Sequence, residues 1–378
     1  MIFLDNASTT KVYKETQDLI STINDQFFYN PSAIYRKGVE VKSLIESARK
    51  NIIKFLGGDS FDQLIFTSGA TEANNFAIMG SIKNKNSKLL FSEGEHPSVY
   101  NVAKNLKNLG YNVEFIKLLP NGKIDLDDYI RKLSPDVSFV SIIHTSNETG
   151  AVNDIAYLCE LAKQVNNKII FHSDGVQAFG KILFNINELG VDLYTISAHK
   201  IHGPRGAGAL FIKNNVKLKP YIIGGGQEMA LRSGTENVSA IKGFEKSAEI
   251  TINNLINNSQ HLNNLYNHFA NKAKEKIDGI VFNGTSDSKH IISFSLPNAK
   301  AETLLHMLDD EGVLVSNGSA CSSKNTDNRI LNCMGVNKKY IESSLRVSFD
   351  EFNTIEEIDI AIDKIKKVYE LYLNTIRR

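Results

Sequence analysis

Apolar residues recur along this chain with two periods, and the changes of period mark out its elements. From 39 to 56 (VEVKSLIESARKNIIKFL) they fall at helical spacing, and Gly57-Gly58 close the run as a C-cap would. QLIFT (63–67) then reads as a strand and 71–82 as a helix; 88–93 reads as a strand and 98–110 as a helix ending in glycine. Residues 113–118, 137–145, 168–174 and 192–198 are further strands, with helical patterns such as 154–165 between them. Several of these strands are continuous apolar runs, the pattern of strands covered on both faces of a parallel sheet. The expected product is an α/β domain with helices on both sides of a mostly parallel sheet.

After about residue 235 the rhythm changes. A long helical stretch, rich in asparagine and lysine, spans 236–276. Short strands at 279–284, 290–296 and 344–349 follow, separated by helices at 301–312 and 354–374. Thr354 and Glu357 form a capping-box pattern at the start of the last helix. This half predicts a smaller α+β domain.

Composition narrows the function. Of 378 residues, 42% are hydrophobic and 22% charged, close to the globular average, so neither disorder nor a coiled coil is expected. Lysine plus arginine number 43 and aspartate plus glutamate 42, a net charge of +1. That balance offers no field for nucleic acid or a membrane surface, so an anionic ligand must be held by a local site. Three cysteines (Cys159, Cys321, Cys333), widely spaced, make neither a disulfide framework nor a zinc motif. The N-terminal residues lack the basic and apolar regions of a signal peptide, and no run approaches the length of a membrane span. The expected location is the cytoplasm.

Three local features suggest chemistry. Lys200 ends a buried strand pattern just before glycine-rich turns (Gly203 to Gly208), where a desolvated amine would be suited to Schiff-base chemistry. Asp174 stands at the C-terminal end of the strand KIIFHSD, the edge at which α/β sheets bind ligands. Ser68-Gly69-Ala70-Thr71 joins a strand to a helix, where exposed N–H groups can cradle phosphate. Taken singly, each has an ordinary reading: a surface lysine, a turn or N-cap aspartate, a common strand–helix turn.

In order along one chain they form a set. Leu4 to Thr10, Phe66 to Glu72, Glu95 to Ser98, Asn147 to Gly150, Asp174 to Gln177, His199-Lys200, Arg232 to Thr235 and Ser319 to Ser322 together resemble the class V aminotransferase group of fold-type I pyridoxal-phosphate enzymes, and most closely its cysteine desulfurases. The resemblance spans essentially the whole chain. It implies a large cofactor-binding α/β domain (13–258) with a seven-stranded-type sheet, and a small α+β domain (1–12 plus 259–378) carrying a cysteine loop. It also implies that Lys200 links to the cofactor, Asp174 pairs with the pyridine nitrogen, Gln177 bonds the phenolic oxygen, and His96 stacks on the ring and moves protons. Ala70, Thr71, Ser197 and His199 would hold the phosphate, with Thr235 reaching in from a second subunit of a homodimer. Asn147 and Arg346 would take the carboxylate of the substrate, L-cysteine. The sequence departs from the family pattern at Ala198, Ser146 and Asp350-Glu351, none of them a catalytic position.

Cys321 selects among the reactions this cofactor supports. It lies in the polar stretch 316–327, which reads as an exposed, mobile loop, whereas Cys159 and Cys333 sit in apolar helical patterns and read as packing residues. The resemblance implies that Cys321 receives sulfur as a persulfide and passes it to an iron–sulfur scaffold or another acceptor protein. A selenocysteine lyase, a small-substrate aminotransferase and a catalytically idle scaffolding relative are the competing readings. His144, His172 and His202 lie near the motifs, the first two in strands and read as packing groups. No metal site is expected.

Overall fold

The computed structural model describes residues 1–318 and 328–376. Strand β1 (Ile2–Phe3) and helices α1 (Lys14–Gln26) and α2 (Arg36–Leu56) precede a strand–helix alternation. It runs β2 (Gln63–Thr67), α3 (Ala70–Ser81), β3 (Lys88–Ser92), α4 (Pro97–Asn108), β4 (Asn112–Ile116), α5 (Leu126–Lys132) and β5 (Val137–Ser141). It continues with α6 (Ile155–Val165), β6 (Ile170–Asp174), α7 (Ile186–Leu189), β7 (Leu193–Ser197) and β8 (Gly208–Ile212). The remainder holds α8 (Val238–Asn253), α9 (Leu255–Lys276), β9 (Val281–Phe282), β10 (Ile291–Ser295), α10 (Ala301–Asp310) and β11 (Val313–Leu314). The chain ends through α11 (Arg329–Cys333), α12 (Lys338–Ile341), β12 (Ser344–Ser348) and α13 (Ile355–Ile376).

The central sheet has the order β2-β8-β7-β6-β5-β3-β4. Pairing is parallel from β7 through to β4, while β8 runs antiparallel between β7 and β2. The expected mostly parallel, seven-stranded sheet is therefore present. Its antiparallel member, β8, is not evident from the sequence, because a five-residue apolar run beside glycines has no period to read. Helices cover both faces. Apolar residues of α2, α5, α6 and α8 pack one face, and those of α3 and α4 pack the other.

A second sheet, β12-β10-β9, is antiparallel and packs with α9, α10 and α13 around its own core. Ile2 and Leu4 belong to that core, and β1 pairs in parallel with β11, so the N-terminus returns to the C-terminal part. Residues 236–276 form two helices, not one, because Asn254 (φ −101°, ψ 3°) interrupts the helical backbone. Two expected ends are present as read. Gly57 closes α2 with φ +80°, and Thr354 and Glu357 exchange both capping-box hydrogen bonds at α13 (3.3 and 3.2 Å). Among the described residues, no helix is long and apolar enough to cross a membrane.

Candidate active site

The C-terminal ends of β2, β6 and β7 open into one cavity of about 590 Å³. Register explains why they converge. Ser197 and Thr67 both pair with Gly208, on either side of β8, and Asp174 pairs with Thr195 of β7. Gly208 allows the close approach: a Cβ there would lie 2.6 Å from the Gly69 carbonyl carbon and 3.0 Å from the Ala70 nitrogen. Gly69, Ala70 and Thr71 at the start of α3 thus stand beside Ser197 and His199 at the end of β7, and all five line the cavity. Ser197 Oγ is buried with no hydrogen-bond partner among the described residues, an orphan acceptor–donor that an anionic oxygen would satisfy. Arg205, a residue with no role in the sequence reading beyond its place in the glycine-rich segment, also lines this end. His199 donates or accepts at Nδ1 with Thr9 Oγ1 (3.2 Å), and burial together with the charges of Lys200 and Arg205 lowers its pKa to about 4. It is neutral at physiological pH.

Beyond that end lie Lys200, Asp174, His96 and Gln177. Lys200 follows β7 in a short 3-10 turn and its Nζ donates to the carbonyls of Ala7 (2.7 Å) and Ser8 (2.6 Å). Asp174 is buried; its Oδ2 accepts from Asn74 Nδ2 (2.8 Å) and its Oδ1 from the Val176 N–H (3.0 Å). Gln177 donates to the Ala7 carbonyl (2.8 Å) and meets buried His290 across 3.3 Å. His96 caps α4, and burial lowers its pKa against the opposing pull of Asp174, with Lys200 and Arg329 adding to the decrease. Its neighbour Glu95 is fully buried, and burial plus the Asp174 charge raise its carboxyl well above the ordinary range. Arg329, whose guanidinium stacks 3.8 Å over Tyr100, donates to the carbonyls of Glu93 and Glu95 and so fixes the turn that carries His96.

Another part of the lining centres on Arg346. Arg346 of β12 donates to the Asn147 carbonyl (2.8 Å) and pairs with Asp5 (2.9 Å), with Glu148 3.5 Å away. Its Nε and the Oδ1 of Asn147 are both buried and unpartnered among the described residues, and both residues line the cavity. Glu148 is buried, and its carboxyl is raised by burial against the opposing charge of Arg346 and the hydrogen bond from Asn328 (3.1 Å).

Of the residues singled out from the sequence, Ala70, Thr71, His96, Asn147, Asp174, Gln177, Ser197, His199, Lys200 and Arg346 line this single cavity. Thr235 is exposed and absent from its lining. Cys321 lies outside the described residues. Cys159 is buried and its thiol is pushed up to about 12 by burial; Cys333 is half-buried and its thiol is also raised by burial. His172 is buried in β6 between Ser141 and Thr195, and burial lowers its pKa to about 3, as a packing group would show. His144, just past β5, bonds the Tyr194 hydroxyl (2.6 Å).

A family model described as aminotransferase class-V matches residues 2–360. The chain belongs to that family. Within it, the relatives carry names from sulfur chemistry. A protein named cysteine desulfurase IscS from Dictyoglomus turgidum is 36% identical over 375 residues, covering 98% of this chain and 94% of that one. Two solved NifS-like proteins superpose on this chain. One has a TM-score of 0.92 at 28% identity over 98% of this chain and 99% of its own. The other, from Rickettsia africae, has a TM-score of 0.88 at 32% identity over the same shares.

Proposed function

We propose that this protein is a pyridoxal-phosphate-dependent cysteine desulfurase, converting L-cysteine to L-alanine with the sulfur kept as a persulfide on Cys321. The observation that carries the reading is a pair of buried polar atoms, without a partner among the described residues, on side chains that line one cavity: Ser197 Oγ, beside the N-terminus of α3, and Arg346 Nε. Ser197 Oγ can donate to a phosphate and Arg346 Nε to an amino-acid carboxylate, and Lys200, Asp174 and His96 line the same cavity. The full-length likeness to proteins named cysteine desulfurase supports the choice of substrate.

On this reading Ala70, Thr71, Ser197 and His199 hold the phosphate, with Thr235 contributed by a second copy of the chain in a homodimer. Asp174 faces the ring nitrogen, Gln177 the phenolic oxygen, and Lys200 is the covalent anchor. Bound there, pyridoxal phosphate would supply the electron sink for negative charge at the substrate Cα. Arg346, a planar two-donor fork, and Asn147 orient the carboxylate so that the Cα proton points to Lys200 Nζ, which removes it. The Cys321 thiolate attacks the substrate sulfur: an S–S bond forms, the substrate C–S bond breaks, and its electron pair ends on Cβ, where a proton completes the methyl group, while Lys200 Nζ returns a proton to Cα to give alanine. A reducing compartment such as the cytoplasm keeps that thiol available, and an iron–sulfur scaffold or another acceptor protein discharges the persulfide.

Treating purified protein with L-cysteine tests this. Alanine should appear, and the intact mass should rise by one sulfur atom, map to Cys321 and fall back with reductant. Added mass on Cys159 or Cys333 would refute the nucleophile, and transfer of the amino group to a keto acid in place of alanine release would make the protein an aminotransferase.

A further inference from the structure

His96 is the N-cap of α4, and its Nδ1 accepts the main-chain N–H of Ser98 at 3.2 Å. A main-chain N–H can only donate, so Nδ1 presents a lone pair and carries no proton. The Ser98 hydroxyl lies 2.8 Å from the same nitrogen and must therefore also donate to it. The oxygen of that hydroxyl accepts from Asn74 Nδ2 at 2.9 Å. The other hydrogen of the same amide goes to Asp174 Oδ2 at 2.8 Å, while Asp174 Oδ1 accepts from Val176 N–H. With acceptors on both sides of its nitrogen, the Asn74 amide has one orientation, and its own Oδ1 is left buried without a partner among the described residues. Asn74 is fully buried on α3, away from any surface role, and the orphaned oxygen marks what that orientation costs.

We infer that Asn74 and Ser98 are positioning residues that transmit the direction of the Asp174 carboxylate to His96 and lock its ring as the neutral Nε2–H tautomer. Burial of the ring, which lowers its proton affinity, works in the same sense. Nε2, the nitrogen left over for the cavity, bonds no other described residue and presents a hydrogen. Its consequence for catalysis rests on the proposed desulfurase reading, whereas the tautomer itself does not. In that reaction His96 is a donor at Nε2 and cannot serve there as the base, which leaves the Cα proton to Lys200.

The test is nitrogen NMR of ligand-free protein labelled with 15N-histidine, with His96 assigned by its absence in His96→Gln. At neutral pH the ring should show an unprotonated Nδ1 and a protonated Nε2. A protonated Nδ1, or an averaged mixture of tautomers, overturns the inference whether or not the protein is a desulfurase. Ser98→Ala and Asn74→Leu leave the main-chain N–H of residue 98 in place but remove or loosen the second donor to Nδ1, so each should raise the share of the other tautomer above that of the parent protein, and Ser98→Thr, which keeps the hydroxyl, should not. In holoenzyme with equal cofactor absorbance, Asn74→Leu should lower kcat by about tenfold while KM changes by less than about twofold, a part of the roughly 10²–10⁴-fold that a positioned acid–base group contributes. An unchanged tautomer and an unchanged kcat in both Ser98→Ala and Asn74→Leu would show that the pair merely packs α3 against α4.

Discussion

At the scale of single residues, the site is a set of groups whose protonation follows from what touches them. Lys200 Nζ is held by two carbonyls, Ala7 and Ser8, so the amine is aimed before any ligand arrives. Borohydride should fix the cofactor to Lys200, and Lys200→Ala should bind it without a covalent link and lose turnover; a reduced adduct on another lysine would overturn the assignment. Asp174→Asn keeps the volume but sets an amide against the Asn74 amide and removes the charge that the proposed function sets opposite the ring nitrogen. Turnover should drop by well over tenfold, an electrostatic loss of more than about 1.4 kcal/mol in the barrier, with cofactor still bound. Near-normal activity would make Asp174 a turn residue. Among the cysteines, burial holds the thiol of Cys159 up at about 12 and raises that of Cys333, so neither supplies thiolate near neutrality. Cys321→Ala should therefore abolish alanine formation while leaving the visible spectrum intact, and alanine formation at the parental rate in that variant would show that another group takes the sulfur.

At the scale of elements, two junctions hold the site together. Glu148 accepts from Asn328 and stands 3.5 Å from Arg346, and a Cβ on Gly318 would meet Glu148 Oε2 at 2.2 Å. Because Gly318 also has φ +70°, Gly318→Ala meets both strain and a clash. It should destabilise the protein by more than about 1 kcal/mol and impair cysteine turnover, measured by thermal melting and alanine release. The second junction explains the unusual Asp350-Glu351 pair after β12. Glu351 accepts from the Tyr13 hydroxyl and, at 3.2 Å, from His202 Nε2, tying β12 to the N-terminal segment and to the turn after Lys200. Burial alone would raise the Glu351 carboxyl, but the His202 hydrogen bond, the charges of Lys181 and His202, and the Tyr13 hydroxyl outweigh it and hold it well below the usual carboxylate range. A carboxyl depressed in the folded state adds stability above its unfolded pKa of about 4.3 and loses it as pH falls. Glu351→Gln should thus lower the melting temperature at neutral pH and flatten its fall below about pH 4; parallel melting curves for the two proteins across that range would exclude the role.

At the scale of the whole molecule, the assignment of Thr235 requires a second chain. Mixed dimers of two inactive variants, Lys200→Ala and a Thr235 variant that no longer retains cofactor, should recover part of the activity, since one of the two sites would then be intact; no recovery in verified heterodimers would place Thr235 outside the site. Much of the architecture was legible along the chain. The central strands and flanking helices announce themselves by period, Gly57 and the Thr354–Glu357 box by their local hydrogen-bonding chemistry, and Lys200, Asp174 and the Ser68–Thr71 turn by their places at element ends. Local chemistry determined these, because backbone geometry and burial of one face depend on near neighbours in sequence. Strand β8 and the break at Asn254 escaped, the first for want of any period and the second because asparagine tolerates either backbone. Arg205, Asn74 and Arg329 carry no signal along the sequence, and although Ser98, His202 and Glu351 stand in or beside the quoted motifs, what they bond does not show there, since each acts through a partner distant in the chain or through a direction of hydrogen bonding. Asn74 and Asp174 are 100 positions apart, and Arg346 and Asp5 are 341. The order β2-β8-β7-β6 brings α3 to the end of β6, and the bridge from Asp5 to Ser348 sets the N-terminal segment beside β12; only the resulting distances fix which atom donates.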